Sequence, residues 1–180
     1  MLLEEMHCNP EFLAWIAERA GIPGGSLFLA HHSVYRSNGE TDVLALVNTP
    51  EGRVALMVED KIGAEMQPRQ AERYHERGAA LCADSSLKLY RTLLCAPEGY
   101  LRGIQSSDWH ATLSFENIAQ WFGEQDDARA RWRRDTLVRA ATRQRRSVVG
   151  NTVAIGDSTI ARFKREYRVY VTKKMQRVRI

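Results

Sequence analysis

At 180 residues, 44% hydrophobic and 27% charged, the chain has the length and composition of one globular domain with room for an extension, which excludes a disordered or low-complexity protein. Its longest apolar runs, Val43 to Val47 and Val54 to Val58, fall far short of the roughly 20 residues that cross a bilayer, and the acidic opening Met1-Leu2-Leu3-Glu4-Glu5 is unlike a secretory signal, so a cytoplasmic protein is expected. The net charge of +4 hides an asymmetry: residues 1–125 carry 10 Lys/Arg against 17 Asp/Glu, whereas residues 126–180 carry 16 against 5.

Taken in chain order, Glu4 to Ala20 places Phe12, Leu13, Trp15, Ile16 and Ala20 at mixed spacings of three and four before Gly21-Ile22-Pro23-Gly24-Gly25. This predicts an amphipathic helix stopped by glycine and proline. Ser26 to Tyr35 is apolar and aromatic and ends at Ser37-Asn38-Gly39, a strand closed by a turn. Two further strands, Asp42 to Val47 and Arg53 to Ile62, flank Asn48-Thr49-Pro50-Glu51-Gly52, and Pro-Glu-Gly between β-branched runs is turn chemistry. Both are apolar almost without alternation, which predicts burial on both faces in the middle of a sheet.

Gln67 to Leu81 switches to long polar side chains and alanine, with Pro68 near its start and Gly78 inside it; this is a helix, since proline is tolerated in a first turn. Leu87 to Cys95 reads as a strand stopped by Ala96-Pro97-Glu98-Gly99, and Ser114 to Phe122 as a helix with Ser114 as its N-cap. The expected fold class is therefore α/β: a mixed sheet with packed helices, in the order helix, three strands, helix, strand, helix. Beyond Gly123 the pattern changes. Asp126 to Arg146 is rich in Ala and Arg with only Trp132, Leu137, Val138 and Ala141 as an apolar stripe, and predicts a long basic helix. The periodicity of Ser147 to Ile160 and Ala161 to Ile180 does not discriminate helix from strand. Residues 1–125 thus form the expected core and 126–180 a basic extension. That extension suits either a polyanionic partner, because clustered Lys/Arg displace counterions from phosphates, or simply a solvated helix face.

Cys8, Cys82 and Cys95 are an odd number without a C-x-x-C pair, which argues against a disulfide framework or zinc knuckle and for buried thiols. The five histidines show no ligand spacing, and His31-His32 reads as two strand residues on opposite faces. Trp15, Trp109 and Trp121 are expected as core anchors. Trp132, among Arg129, Arg131, Arg133 and Arg134, suits either a core or a base-stacking role.

The chemistry concentrates on the hairpin. With the turn centred between Pro50 and Glu51, Asp42 lies across from Glu59, and opposed residues of an antiparallel pair have Cβ atoms about 4.5–5.5 Å apart. Glu59 and Lys61 are two apart and share a face, whereas Asp60 points to the other. Two facing carboxylates at the end of buried strands repel and lose solvation, so their joint ionisation calls for a cation. Magnesium suits them, being a hard ion held by one or two carboxylates plus substrate phosphate. Taken alone, a Glu-x-Lys triplet is equally a surface ion pair at a strand end; its place at the end of two buried strands, where unpaired charge is costly, favours a site.

In these residues the chain resembles the PD-(D/E)XK nuclease superfamily, especially its RecB-like nuclease branch and the related restriction and phage-defence nucleases. Glu40-Thr41-Asp42-Val43-Leu44-Ala45-Leu46 matches the first-acid strand and Val58-Glu59-Asp60-Lys61-Ile62 the E-x-K strand. Gln70 and Tyr74, four apart and so on one helical face, match the Q-x-x-x-Y helix motif, and Phe12-Leu13-Ala14-Trp15-Ile16 is similar to a first-helix segment of some members. Thr41 stands where the motif has proline, a position that varies in the family. The resemblance implies a restriction-endonuclease-like core and Mg²⁺- or Mn²⁺-dependent hydrolysis of DNA, in DNA processing or defence. It implies Asp42 and Glu59 as metal ligands, with Glu11 or Glu5 as an added acid from the first helix. Lys61 would orient the attacking water or stabilise the transition state, and Gln70 and Tyr74 would position substrate or the lysine. No four-cysteine set for an iron–sulfur cluster is present.

Acidic metal ligands do not themselves attract DNA, so separate cations must supply phosphate affinity. Arg129, Arg133, Arg134, Arg143, Arg145 and Arg146 are the candidates, the last three being equally a solvated helix end. Two other functions fit the same residues: a catalytically inactive relative that binds DNA or protein, and a structural module docking on RNA in a larger assembly. Oligomeric state stays open, with paired cuts on two strands favouring a homodimer, and the ending Arg177-Val178-Arg179-Ile180 suggests a larger complex.

Overall fold

The computed structural model describes residues 1–149 other than Ser37, with side chains described as far as Thr142. The chain divides into two compact units, Met1–Arg145 and Arg146–Ile180. The expectations for residues 150–180, and for the side chains of Arg143, Arg145 and Arg146, fall outside the described residues.

The N-terminal segment is two helices, α1 (Leu2–Cys8) and α2 (Pro10–Arg19), where one helix over residues 4–20 was expected. The break lies at Asn9, whose backbone is extended (φ −136°, ψ 94°). A residue before proline is pushed out of the α region, and the Asn9 side chain then accepts a hydrogen bond from Phe12 N at 3.0 Å, capping α2. Three strands follow, β1 (Ser26–Arg36), β2 (Gly39–Thr49) and β3 (Gly52–Asp60), forming an antiparallel meander. Then come α3 (Gln70–Asp84), β4 (Leu89–Ala96), a single turn α4 (Glu98–Leu101), a 3₁₀ turn (Ser106–Asp108), β5 (Ala111–Ser114), α5 (Phe115–Gly123) and α6 (Ala128–Val149).

The sheet has five strands in the order β1-β2-β3-β4-β5, with β3, β4 and β5 parallel. The mixed α/β class is thus as expected; besides the split first helix, the short α4, the 3₁₀ turn and β5 are additions, and β5, only four residues long, is too short for its alternation to register in the sequence. α3 starts at Gln70, three residues later than expected, after Arg69 in a left-handed conformation (φ 55°). Ser114 caps α5 by accepting from Asn117 N at 3.0 Å.

The sheet is covered on both sides. One core joins Phe12, Leu13 and Ile16 of α2 and Phe115, Ile118 and Phe122 of α5 to Val43, Leu56, Val58 and Leu93 of the sheet, and takes in Ala130 and Leu137 of α6. The first half of α6 therefore packs onto the body. The second core sets Tyr74 and Leu81 of α3 with Trp109 against Met57 and Leu94. β3, central and sandwiched, is buried on both faces as expected, but β2 alternates between buried and half-buried residues, because it lies one strand nearer the β1 edge. Of the thiols only Cys95 is buried; Cys82 is half-buried and Cys8 exposed. Trp109 and Trp121 are buried, Trp15 is half-buried against the first core, and Trp132 is exposed.

α3 lies very close to the sheet. A Cβ at Gly78 would come within 2.2 Å of the Tyr90 ring, so only glycine permits this approach. That closeness lets the first turns of α3 reach the carboxyl end of β3. Among the described residues no helix is long and apolar enough to cross a membrane.

Candidate active site at the carboxyl end of the third strand

The β2–β3 pairing runs from Thr49↔Gly52 to Val43↔Val58. One step further along this register, Asp42 faces Glu59. The tight turn at Pro50-Glu51 sets that register, and a slip of one residue would turn every side chain to the other face. Asp42, Glu59 and Lys61 line one pocket of about 340 Å³, together with Gln70, Arg73 and Arg77 of α3. They share the α3 side of the sheet.

Glu59 and Lys61 are both buried, at 4% and 7% exposure, and Lys61 Nζ sits 3.1 Å from Glu59 Oε1. The other carboxylate oxygen, Oε2, accepts a 2.7 Å hydrogen bond from the Tyr74 hydroxyl. That hydroxyl in turn accepts from the backbone N–H of Asp42 at 3.2 Å. One tyrosine oxygen therefore ties the first-acid strand to the second acid. Its ring contacts the Arg77 guanidinium, 4.3 Å from the ring centroid, and the tilted Trp109 ring at 5.0 Å. Burial and then the charge of Glu59 push the Tyr74 hydroxyl pKa far up, so it stays a protonated donor throughout the physiological range.

Asp42 accepts from the backbone N–H of Asp60 at 2.8 Å through Oδ2, which fixes its rotamer across the hairpin end. Burial raises its pKa, and the neighbouring Glu59 and Glu40 charges raise it further, against the opposing Asp60 N–H and Lys61. Asp60 belongs to the opposite face, where it lines another cavity with His32 and Ser33 that Asp42 also borders. Its edge reaches solvent, yet the crowding protein and then the Asp42 charge push its pKa up to about 6. Asp42 thus carries an electrostatic cost that a cation bound in the pocket would relieve.

Arg73 and Arg77 were not singled out from the sequence. A signal was present: Gln70, Arg73, Tyr74 and Arg77 recur at spacings of three and four, which is one helical face. Arg77 is buried at 3% exposure and spends its donors on β2, on Thr41 Oγ1 at 3.0 Å and the Glu40 carbonyl at 2.8 Å, and on the Asn38 carbonyl in the turn before it at 3.3 Å. It clamps the strand that carries Asp42. Arg73 bonds the Pro68 carbonyl and Gln67 Oε1, holding the loop that leads into α3. The Tyr100 hydroxyl is the buried polar side-chain atom left without a partner among the described residues. Burial and then the charges of Glu59 and Glu65 raise its pKa.

The remaining expected residues stand apart. Glu11 is exposed in the first turn of α2 and does not line the pocket. Glu5, the other acid of the first helices, is buried at 1% exposure and held by Arg129 at 2.7 Å and Arg133 at 2.8 Å. Burial would raise its pKa, but hydrogen bonds from the two guanidinium groups outweigh this and keep it low. Arg133, itself buried and also bound to Glu4, is a structural charge between α1 and α6 and does not present itself to a phosphate; Arg129 is half-exposed and likewise engaged. Arg134 pairs with Asp135 at 2.9 Å on the surface.

A metal at this site would rest on Asp42 and Glu59 alone, since no group of three or more His, Cys, Asp or Glu among the described residues is placed to hold one. The donor set still fits magnesium, which is commonly bound through one or two carboxylates and completes its shell with water and phosphate. Asp42 Oδ1 is without a hydrogen bond among the described residues, and each carboxylate oxygen of Glu59 keeps a second lone pair. No family model, curated protein or solved structure matches the chain.

Proposed function

We propose that the chain is a Mg²⁺-dependent deoxyribonuclease of the PD-(D/E)XK type, its five-stranded sheet serving as a restriction-endonuclease-like core. One observation carries this reading. Asp42, Glu59, Lys61 and Gln70, set 28 positions apart at their extremes, meet in a single pocket with Tyr74 bonding both acid-bearing strands.

The chemistry follows from the donor types. A divalent ion held by Asp42 and Glu59 would polarise the phosphodiester and ease deprotonation of a water molecule. Lys61, buried beside Glu59, supplies fixed positive charge where the phosphate oxygens gain negative charge, and a preorganised charge in a shielded site is worth more than one in water. Its ammonium also hydrogen-bonds and orients the attacking water. Glu59 keeps its geometry because Tyr74 and Lys61 hold one oxygen each, which limits the reorganisation needed on substrate binding. Gln70, at the first position of α3, offers its amide hydrogens to the substrate, and Arg73 at the rim adds a cation for phosphate attraction.

The test is hydrolysis of linear and circular DNA by the whole chain with Mg²⁺, Mn²⁺ or EDTA, alongside Glu59→Gln and Lys61→Ala. Cleavage that needs the metal and falls by two or more orders of magnitude in both variants is expected, since one preorganised charge typically contributes about 10²–10³ in rate. Metal-independent DNA binding without cleavage would favour an inactive binding module. Tight, salt-sensitive RNA binding without hydrolysis would favour a structural role.

A further inference from the structure

A second cavity, of about 470 Å³, adjoins the acidic pocket and shares Gln67 and Gln70 with it. We propose that it is a nucleoside subsite, receiving one unstacked base of the strand being cut. The inference rests on the nuclease reading above and adds to it a substrate class: single-stranded or frayed DNA.

The cavity's size lies in the range of small-molecule sites, about 300–1,000 Å³. Its walls combine apolar surface from Met66 and Ile104 with the amides of Gln67, Gln70 and Gln105. That is the mixture a nucleobase requires, flat apolar contact for its faces and paired donor and acceptor groups for its edges. Gln70 Oε1 accepts from Gln67 N at 3.0 Å and Gln67 Oε1 accepts from Arg73 at 2.9 Å, so both amide oxygens are fixed. Their NH₂ groups keep their hydrogens for a ligand. Trp109 lines the buried side of the cavity, its ring tilted against that of Tyr74 with centroids 5.0 Å apart, which couples the subsite to the residue holding Glu59.

Position supplies the rest of the argument. A phosphodiester seated at Asp42, Glu59 and Lys61 has its two nucleosides on either side of it, and Gln67 and Gln70 form the shared border on one side. The cavity holds one nucleoside but not a paired, stacked duplex, so filling it takes the base out of the stack. Unstacking and unpairing cost a few kcal/mol in a duplex and much less in a single strand. A preference for unpaired substrate follows.

The experiment has two arms. In the first, wild-type protein with Mg²⁺ is given one sequence as a single strand and as a blunt duplex, and Ser107→Trp, which places a bulky ring in the cavity from an exposed position of the 3₁₀ turn, is compared with Ser107→Ala. Single-strand cleavage roughly tenfold or more above duplex cleavage is expected, with a comparable loss in Ser107→Trp and none in Ser107→Ala. In the second, 2-aminopurine is moved position by position through a short single strand and its fluorescence is read on binding with Ca²⁺ in place of Mg²⁺. A change confined to one position in the wild type and abolished in Ser107→Trp is expected. Equal cleavage of both DNA forms, unaltered by the tryptophan, would overturn the subsite while leaving the nuclease standing. Absence of hydrolysis with a localised fluorescence change retained would sink the nuclease reading and keep the base-binding cavity; absence of any localised change overturns the cavity as well. Thermal unfolding of both Ser107 variants within a degree or two of wild type shows that the fold is intact.

Discussion

Replacing Tyr74 by Phe removes one oxygen and nothing else, yet that oxygen serves two strands. Its hydrogen bond to Glu59 Oε2 is 2.7 Å long and goes to an ionised, buried acceptor, a type that contributes about 1.5–3 kcal/mol. The Asp42 N–H that now donates to the hydroxyl at 3.2 Å would also lose its partner, which costs about 1 kcal/mol more. The expected loss of unfolding free energy is therefore about 2.5–4 kcal/mol, a large part of the roughly 5–15 kcal/mol that holds a typical domain. Urea unfolding in EDTA at neutral pH measures it directly, with an unchanged dependence on denaturant showing that both proteins unfold from comparably compact states. In a heat scan the same loss appears as roughly 5–16 °C. The reasoning is refuted if Tyr74→Phe unfolds within about 0.5 kcal/mol of wild type, because the hydroxyl would then not link the two acid-bearing strands.

Three further outcomes follow from the packing and the charges. Asp60, with its pKa raised to about 6, binds more protons folded than unfolded between pH 4 and 6. The metal-free protein should therefore gain stability as pH falls through that window and lose it as pH rises; Asp60→Asn should flatten the slope, by about 1 kcal/mol after solvent screening of the exposed edge, and an unchanged profile would contradict the assignment. Gly78→Ala places a methyl group within 2.2 Å of the Tyr90 ring, so it should destabilise by about 1–3 kcal/mol despite alanine's better helix propensity. A stabilised Gly78→Ala in urea unfolding would show that α3 does not lie this close to β4. Tyr100→Phe removes a buried hydroxyl without a partner, and should leave stability unchanged or raise it by up to about 1 kcal/mol; a clear fall in melting temperature would mean that the hydroxyl is satisfied in solution.

What the sequence made legible was local or periodic. Pro50-Glu51 set a two-residue turn, and a two-residue turn fixes register, so Asp42 opposite Glu59 followed from counting alone. Alternation placed Lys61 with Glu59 and sent Asp60 to the other face. The helix period put Gln70 and Tyr74 on one face; the same period takes in Arg73 between them and, one turn further, Arg77. The break at Asn9 was legible too, in Asn-Pro, but the apolar spacing of residues 12–20 masked it. By contrast, Glu5 meets Arg129 and Arg133 across a separation of more than a hundred residues, and no periodicity reports such a contact; the same arginines therefore read as free cations when they are engaged in an ion-pair cluster. β5 escaped because four residues carry too little alternation, and the cavity at Gln67 and Gln70 because its walls come from three segments that only the fold brings together.

The most direct measurement is the initial rate of DNA hydrolysis by the whole protein across a Mg²⁺ titration, repeated for Glu59→Gln. The account predicts a rate that rises from zero with the metal, saturates, and drops at least a hundredfold, about 10², when the carboxylate becomes an amide. A flat line at every Mg²⁺ concentration, or equal rates for the two proteins, would contradict it.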